Sequence, residues 1–145
     1  MLAVGMALTL GCAPAAFAAL GESGASVARD HAAMQGTLSV TPAQSFDVHE
    51  IKVAGGQTVR EYATRAGTIF AVTWHGTRTP DLELLLGGYF GRYVAAAELH
   101  RTGHHLVSIR TPDLVLTVTR FQRAAFGQAY LPALMPSGVT PAVLR

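Results

Sequence analysis

Six histidines are the most conspicuous chemical resource of this 145-residue chain, and three of them, His100, His104 and His105, fall close together with His75 further upstream. Neutral imidazoles are good ligands for zinc or copper. The spacing, however, is that of a polar loop, His100-Arg101-Thr102-Gly103-His104, with no acid or thiol alongside to complete a coordination sphere. His49-Glu50 opens like a zinc-protease motif, but the second histidine that motif requires would stand at position 53, which is Val53. The expectation is therefore no metal and no cofactor.

Nucleophilic chemistry fares no better. Gly21-Glu22-Ser23-Gly24-Ala25 lacks the closing glycine of a nucleophile elbow and no strand precedes the serine. Gly87-Gly88-Tyr89-Phe90-Gly91 lies inside a helical stripe, and Lys52 is the only lysine, so a phosphate loop has no support. Among the carboxylates, Asp81 and Asp113 each follow a Thr-Pro pair and have turn-forming work to do. Arg60-Glu61 is what remains: neighbours on a strand point to opposite faces, so one of them turns toward the core and needs a partner there. No catalytic set emerges, and Arg60, Glu61 and His75 stand as the candidate binding residues.

The elements that must position these residues are legible from periodicity. Phe46–Val53 and Thr58–Tyr62 read as a hairpin around Gly55-Gly56, and Thr68–His75 as a third strand with Phe70, Val72 and Trp74 on its core face. Thr79-Pro80-Asp81 is a helix start, followed by Leu82, Leu85, Leu86, Tyr89, Phe90, Tyr93, Val94 and Ala97 at steps of three and four. His105–Arg110 and Leu114–Thr119 give two more strands around Thr111-Pro112-Asp113. The pentapeptide Arg78-Thr79-Pro80-Asp81-Leu82 returns as Arg110-Thr111-Pro112-Asp113-Leu114 with unrelated flanks, which makes it a turn signal and not a repeat. The order βββαββ predicts an α+β domain, a small antiparallel sheet with one main helix on one face. It spans 46–131, between a flexible lead-in at 19–45, in which only Thr37–Val40 looks like a short strand, and a proline-containing tail at 132–145.

Ahead of these elements, residues 1–18 carry no charge and 14 of them are hydrophobic. An apolar run from Leu2 to Leu10, the helix-breaking Pro14 and then Ala16-Phe17-Ala18 make a signal peptide with cleavage between Ala18 and Ala19. Removing it takes the single cysteine, Cys12, with it and leaves no thiol or disulfide chemistry. The mature chain then has ten arginines, one lysine and nine acids, a net charge of +2 scattered along its length, which argues against a nucleic-acid surface.

Val59-Arg60-Glu61-Tyr62, the stretch from Gly67 through Phe70-Ala71-Val72 to Trp74 and Gly76, Pro80-Asp81-Leu82 with Leu85-Leu86-Gly87, Asp113-Leu114-Val115 and Ala125-Phe126-Gly127 with Leu131-Pro132 together resemble domain-of-unknown-function family 2844. That resemblance covers nearly the whole mature chain and implies an exported bacterial protein whose mature end begins Ala-Leu-Gly, as Ala19-Leu20-Gly21 does here. It implies no activity, cofactor or catalytic residue. The expected function is a non-catalytic binding or accessory module of the cell envelope, periplasmic or secreted, meeting the membrane only during export. The alternatives are an enzyme with a dispersed site around Glu61, His75 and the histidine loop, and a chaperone-like partner of another exported or envelope protein.

Overall fold

The computed structural model describes residues 20–99 and 105–145. The expected signal segment, its expected cleavage site and the histidines at 100 and 104 lie outside the described residues. Seven strands make one antiparallel sheet: β1 (Thr37–Pro42), β2 (Phe46–Val53), β3 (Gln57–Thr64), β4 (Ile69–Gly76), β5 (Leu106–Arg110), β6 (Val115–Arg120) and β7 (Ala125–Tyr130). Their order across the sheet is β1-β2-β3-β4-β7-β6-β5. The connection from β4 to β5 therefore carries the chain past two strand positions to the far edge, and it does so through α2 (Leu82–Leu86), a 3-10 turn at Gly87–Tyr89 and α3 (Phe90–Leu99). A further helix, α1 (Val27–Met34), precedes the sheet.

This corrects the expected α+β arrangement of five strands under one main helix: the protein is mostly β. Two strands are missing from the expected order βββαββ for opposite reasons, β1 having shown only a short strand signal at Thr37–Val40. β1 pairs with β2 from Thr37↔Lys52 to Pro42↔Asp47, but as an outermost, largely exposed strand it has little need of apolar side chains. β7 reads as a weak strand because alternate positions are Ala125, Gly127 and Ala129. A Cβ at Gly127 would lie 2.2 Å from Cζ2 of Trp74 and 2.5 Å from the Thr117 carbonyl oxygen, so the indole rests directly on that backbone. The flexible lead-in is likewise corrected, since residues 20–45 hold α1 and β1 and are stitched to the domain by backbone bonds from Leu20 N–H to Leu85 and from Gly21 N–H to Ile69.

The main helix divides in two because Gly87 adopts φ 49°, ψ −120°, a conformation that breaks the ladder after Leu86. Its cap is Asp81, whose Oδ1 accepts from Leu84 N–H at 3.0 Å, two residues later than the Thr79 start that Thr79-Pro80-Asp81 suggests. Leu82, Leu85, Leu86 and Tyr93 nonetheless bury against the sheet with Val72 and Trp74, so the helix-on-sheet core forms as the apolar stripe requires.

Phe70 does not join them. A register shift in the β3–β4 pairing, where Tyr62 opposes Ala71 and Ala63 opposes Ile69, inserts an extra residue at Phe70 and turns its ring to the opposite face. There it packs with Tyr62 and Leu144, flanked by Phe46, Val48, Tyr130, Met135 and Val139. The sheet thus has two cores, one beneath the helices and one beneath the C-terminal segment, which crosses the second face with 3-10 turns at Pro132–Leu134 and Pro141–Val143.

Candidate functional site

The three candidate binding residues are placed on different sides of the sheet. Register puts Glu61 in the row His49–Glu61–Val72–Ala129–Leu116, which faces the helices. Arg60 falls in the row Glu50–Arg60–Thr73–Gln128–Thr117 on the tail face, and His75 in the next row of that face, between Thr58 and Phe126. Arg60 and His75 share a face, and Glu61 is separated from both by the thickness of the sheet. An enzyme built on Glu61 and His75 together is not assembled.

Arg60 is held structurally. Its Nε donates to Glu50 Oε2 at 2.6 Å and its Nη1 to the Arg145 carbonyl oxygen at 2.6 Å, while Lys52 Nζ reaches Glu50 Oε1 at 2.9 Å. Those two cations, Lys52 foremost, hold the Glu50 carboxyl below its ordinary range. The same Arg145 carbonyl accepts from Tyr62 Oη at 3.0 Å and Thr73 Oγ1 at 3.1 Å, so three side chains of the tail face anchor the C-terminal segment.

Glu61 meets another acid. Glu61 and Asp30 of α1 are each 1% exposed and lie in side-chain contact. Two ionised carboxylates only accept, so a bond between them exists only when one holds a proton. Burial first, and then the neighbouring Asp30, push the Glu61 carboxyl up to about 9. Burial likewise raises Asp30, against the pull of Glu61 as a hydrogen-bond partner and of Arg29. The expected ion pair or hydrogen bond for the inward member of Arg60-Glu61 meets an acid instead of a cation: neither carboxyl oxygen of Glu61, nor Asp30 Oδ1, has a hydrogen-bond donor among the described residues, so the two can bond only by sharing a proton. Neither residue lines any of the four grooves described here.

What the tail face does offer is a groove of about 330 Å³ in the middle of the sheet. Its floor is a grid of two rows and three strands, Thr73–Gln128–Thr117 and His75–Phe126–Thr119, on β4, β7 and β6. Leu144 and Arg145 close its inner end. Beyond its outer end an aromatic ladder continues: Phe126 and Phe121 have ring centroids 5.9 Å apart, and Phe121 stacks on His105 at 6.1 Å. Phe126 is 45% exposed and Phe121 56%, large values for aromatic side chains standing in contact with each other.

Of these groove residues only His75 was reachable from sequence. Thr117, Thr119, Phe126 and Gln128 carry no motif; their signal is the outward half of two alternations, Thr117 and Thr119 against Leu116 and Val118, and Phe126 and Gln128 against Ala125, Gly127 and Ala129. Asp81 and Asp113 do the turn work expected of them, Asp81 as helix cap and Asp113 as acceptor from Thr111 Oγ1 at 2.8 Å and Arg92 Nη1 at 2.6 Å. Among the described residues no group of three or more His, Cys, Asp or Glu side chains could hold a metal ion, and no helix is long and apolar enough to cross a membrane.

A family model described as Protein of unknown function (DUF2844) matches residues 16–144. No curated protein and no solved structure matches the chain.

Proposed function

The chain belongs to the DUF2844 family, and from that premise we propose that it is an exported, non-catalytic binding module of the cell envelope that holds a small ligand on the tail face of its sheet. The observation that carries this reading is the mid-sheet groove, about 330 Å³ with four neutral hydrogen-bonding side chains on its floor and an uncovered aromatic ladder at its mouth. That combination of concavity, convergent polar groups and apolar surface is the usual composition of a ligand site, and its volume falls in the usual range of about 300–1,000 Å³. Export is supported by the uncharged apolar start and Ala16-Phe17-Ala18. The working locale is then the periplasm or the medium, with contact to the membrane only during export and no nucleic-acid partner.

A second reading, an accessory subunit for another exported protein, is favoured by the sheet edges: β1 and β5 each pair on one side only, and an open edge accepts a further strand. The two readings diverge in where they place contact. Protein purified from envelope extracts should begin at Ala19, and the low-mass fraction of the same extract should shift the backbone amides of Thr73, Thr117, Thr119 and Gln128 in the labelled protein. Shifts confined to β1 or β5 on adding the protein fraction would favour the subunit. A cytosolic form beginning at Met1 would overturn the export reading.

A further inference from the structure

Resting on that reading of the groove, we infer that its ligand is a saccharide, a ring that lays an apolar C–H face on Phe126 and directs its hydroxyls to Thr73, Thr117, Thr119 and Gln128. The argument is one of chemical fit and elimination. Cross-strand neighbours stand about 5 Å apart and alternate residues along a strand about 7 Å apart. The floor therefore presents its polar groups on a lattice of about 5 by 7 Å, the scale of substituents around a pyranose ring. Threonine hydroxyls both donate and accept, and the Gln128 amide offers one acceptor and two donors. Ligand hydroxyls, which also do both, can meet Thr117, Thr119 and Gln128 as donors or acceptors, and Thr73, whose own proton goes to the Arg145 main-chain oxygen, as an acceptor, without any of these side chains being ionised.

Other ligand classes fit less well. A fatty chain would cover Thr73, Thr117, Thr119 and Gln128 and leave their polar atoms unpaired, which counts against binding. An extended peptide gains its affinity from main-chain bonds to an open strand edge, and here β4, β7 and β6 are neighbours inside the sheet with their ladders filled by one another. A metal complex would want a carboxylate or several imidazoles, and the lining holds no acid and one histidine. Apolar platform and neutral hydroxyl lattice meet in a ring that is greasy on one face and polar around its rim, and Arg145 at the inner end adds further hydrogen-bond donors for such hydroxyls. Phe121, stacked beyond Phe126, extends the platform past the groove mouth and suits an oligosaccharide over a single sugar.

The test uses the mature full chain, isotopically labelled, and four probes: the neutral disaccharides cellobiose and di-N-acetylchitobiose, the dipeptide Ala-Ala and decanoate. Binding of at least one disaccharide at or below about 10 mM, with amide shifts concentrated on β6 and β7, is the expected result. Phe126→Ala should weaken it by about tenfold or more. Thr119→Val, which keeps the shape and removes the hydroxyl, should weaken it by several-fold with the spectrum otherwise unchanged. Disaccharide binding that both variants leave untouched would overturn the placement. Decanoate or Ala-Ala shifting the groove amides while both sugars fail would overturn the ligand class and keep the binding module. Silence from all four probes would overturn both.

Discussion

Glu61→Gln should make this protein more stable above neutral pH and flatten its stability profile there. The wild-type carboxyl is raised from 4.5 to about 9, so over that interval the folded chain holds a proton that the unfolded chain has released. Fewer protons bound in the unfolded state means that stability falls with rising pH, by about 1.4 kcal/mol per unit. The full stabilising share is present below pH 4.5 and is gone above pH 9. Asp30, also raised, adds to the fall at its acid end. His49 works the other way: burial lowers it from 6.5, so its share rises with pH up to about 6.5 and is constant above. The window from about pH 7 to 9 therefore isolates the acid pair, and across it the wild type should lose roughly 2–2.5 kcal/mol, the slope halving as pH reaches the folded value of about 9. Glutamine cannot ionise, and its amide N–H can donate to the Asp30 carboxylate, so the variant should lose under about 1 kcal/mol over the same window. Urea unfolding at fixed pH, followed by the single tryptophan, buried Trp74, measures both slopes. A wild-type profile that is flat or rising from pH 7 to 9, or a variant that keeps the wild-type slope, would refute the proton-sharing pair.

Leu86→Ala should cost about 2–5 kcal/mol as a fully buried large-to-small change, against under about 0.5 for Glu83→Ala on the exposed side of the same helix, both read from urea midpoints. Gly127→Ala should cost about 1–3 kcal/mol or more and shift Trp74 emission, because its Cβ would stand 2.2 Å from the indole; unchanged stability and emission would mean the ring does not lie on that backbone. A strong chelator should leave the melting temperature unchanged, and a large loss restored by one divalent ion would assign His100, His104 and His105 a structural role.

Elements with a strong period were legible in the sequence and elements with a tertiary reason for their composition were not. β2, β3, β4 and β6 and the apolar helical stripe announce themselves because each must bury one face, and the burial is written as alternation or as steps of three and four. β1, largely exposed, gives only the short strand signal of Thr37–Val40, and β7, built from small residues beneath Trp74, has no local motive for strand-like composition. The bulge at Phe70 is the sharper case. Strict alternation assigns Phe70, Val72 and Trp74 to one face, and a single inserted residue sends the phenyl ring to the other, where it founds the core beneath the tail. No property of Phe70 itself distinguishes the outcomes; the decision is made by the pairing of Ala63 with Ile69 across the shift.

The site follows the same logic. Sequence reasoning asks for a partner for the inward member of Arg60-Glu61, because a charge cannot be buried alone, and the structure sets Asp30 beside it. The sequence could not name an acid for that place, since Asp30 sits on a helix within a stretch that carries no period. The groove lay still deeper. Its floor is made of the residues that a search for buried faces discards, the outward Thr117, Thr119, Phe126 and Gln128, and they converge only because β7 returns between β4 and β6. A crossover that carries the chain to the far edge and brings it back is a property of the whole sheet. The exposed Phe126 and Phe121 are the exception within this set: two uncovered aromatic rings five residues apart, flanking Gln122-Arg123, mark a surface whose apolar character is not spent on the core. Read for what burial leaves unexplained, that pair joins His75 as a trace of the groove in the linear sequence.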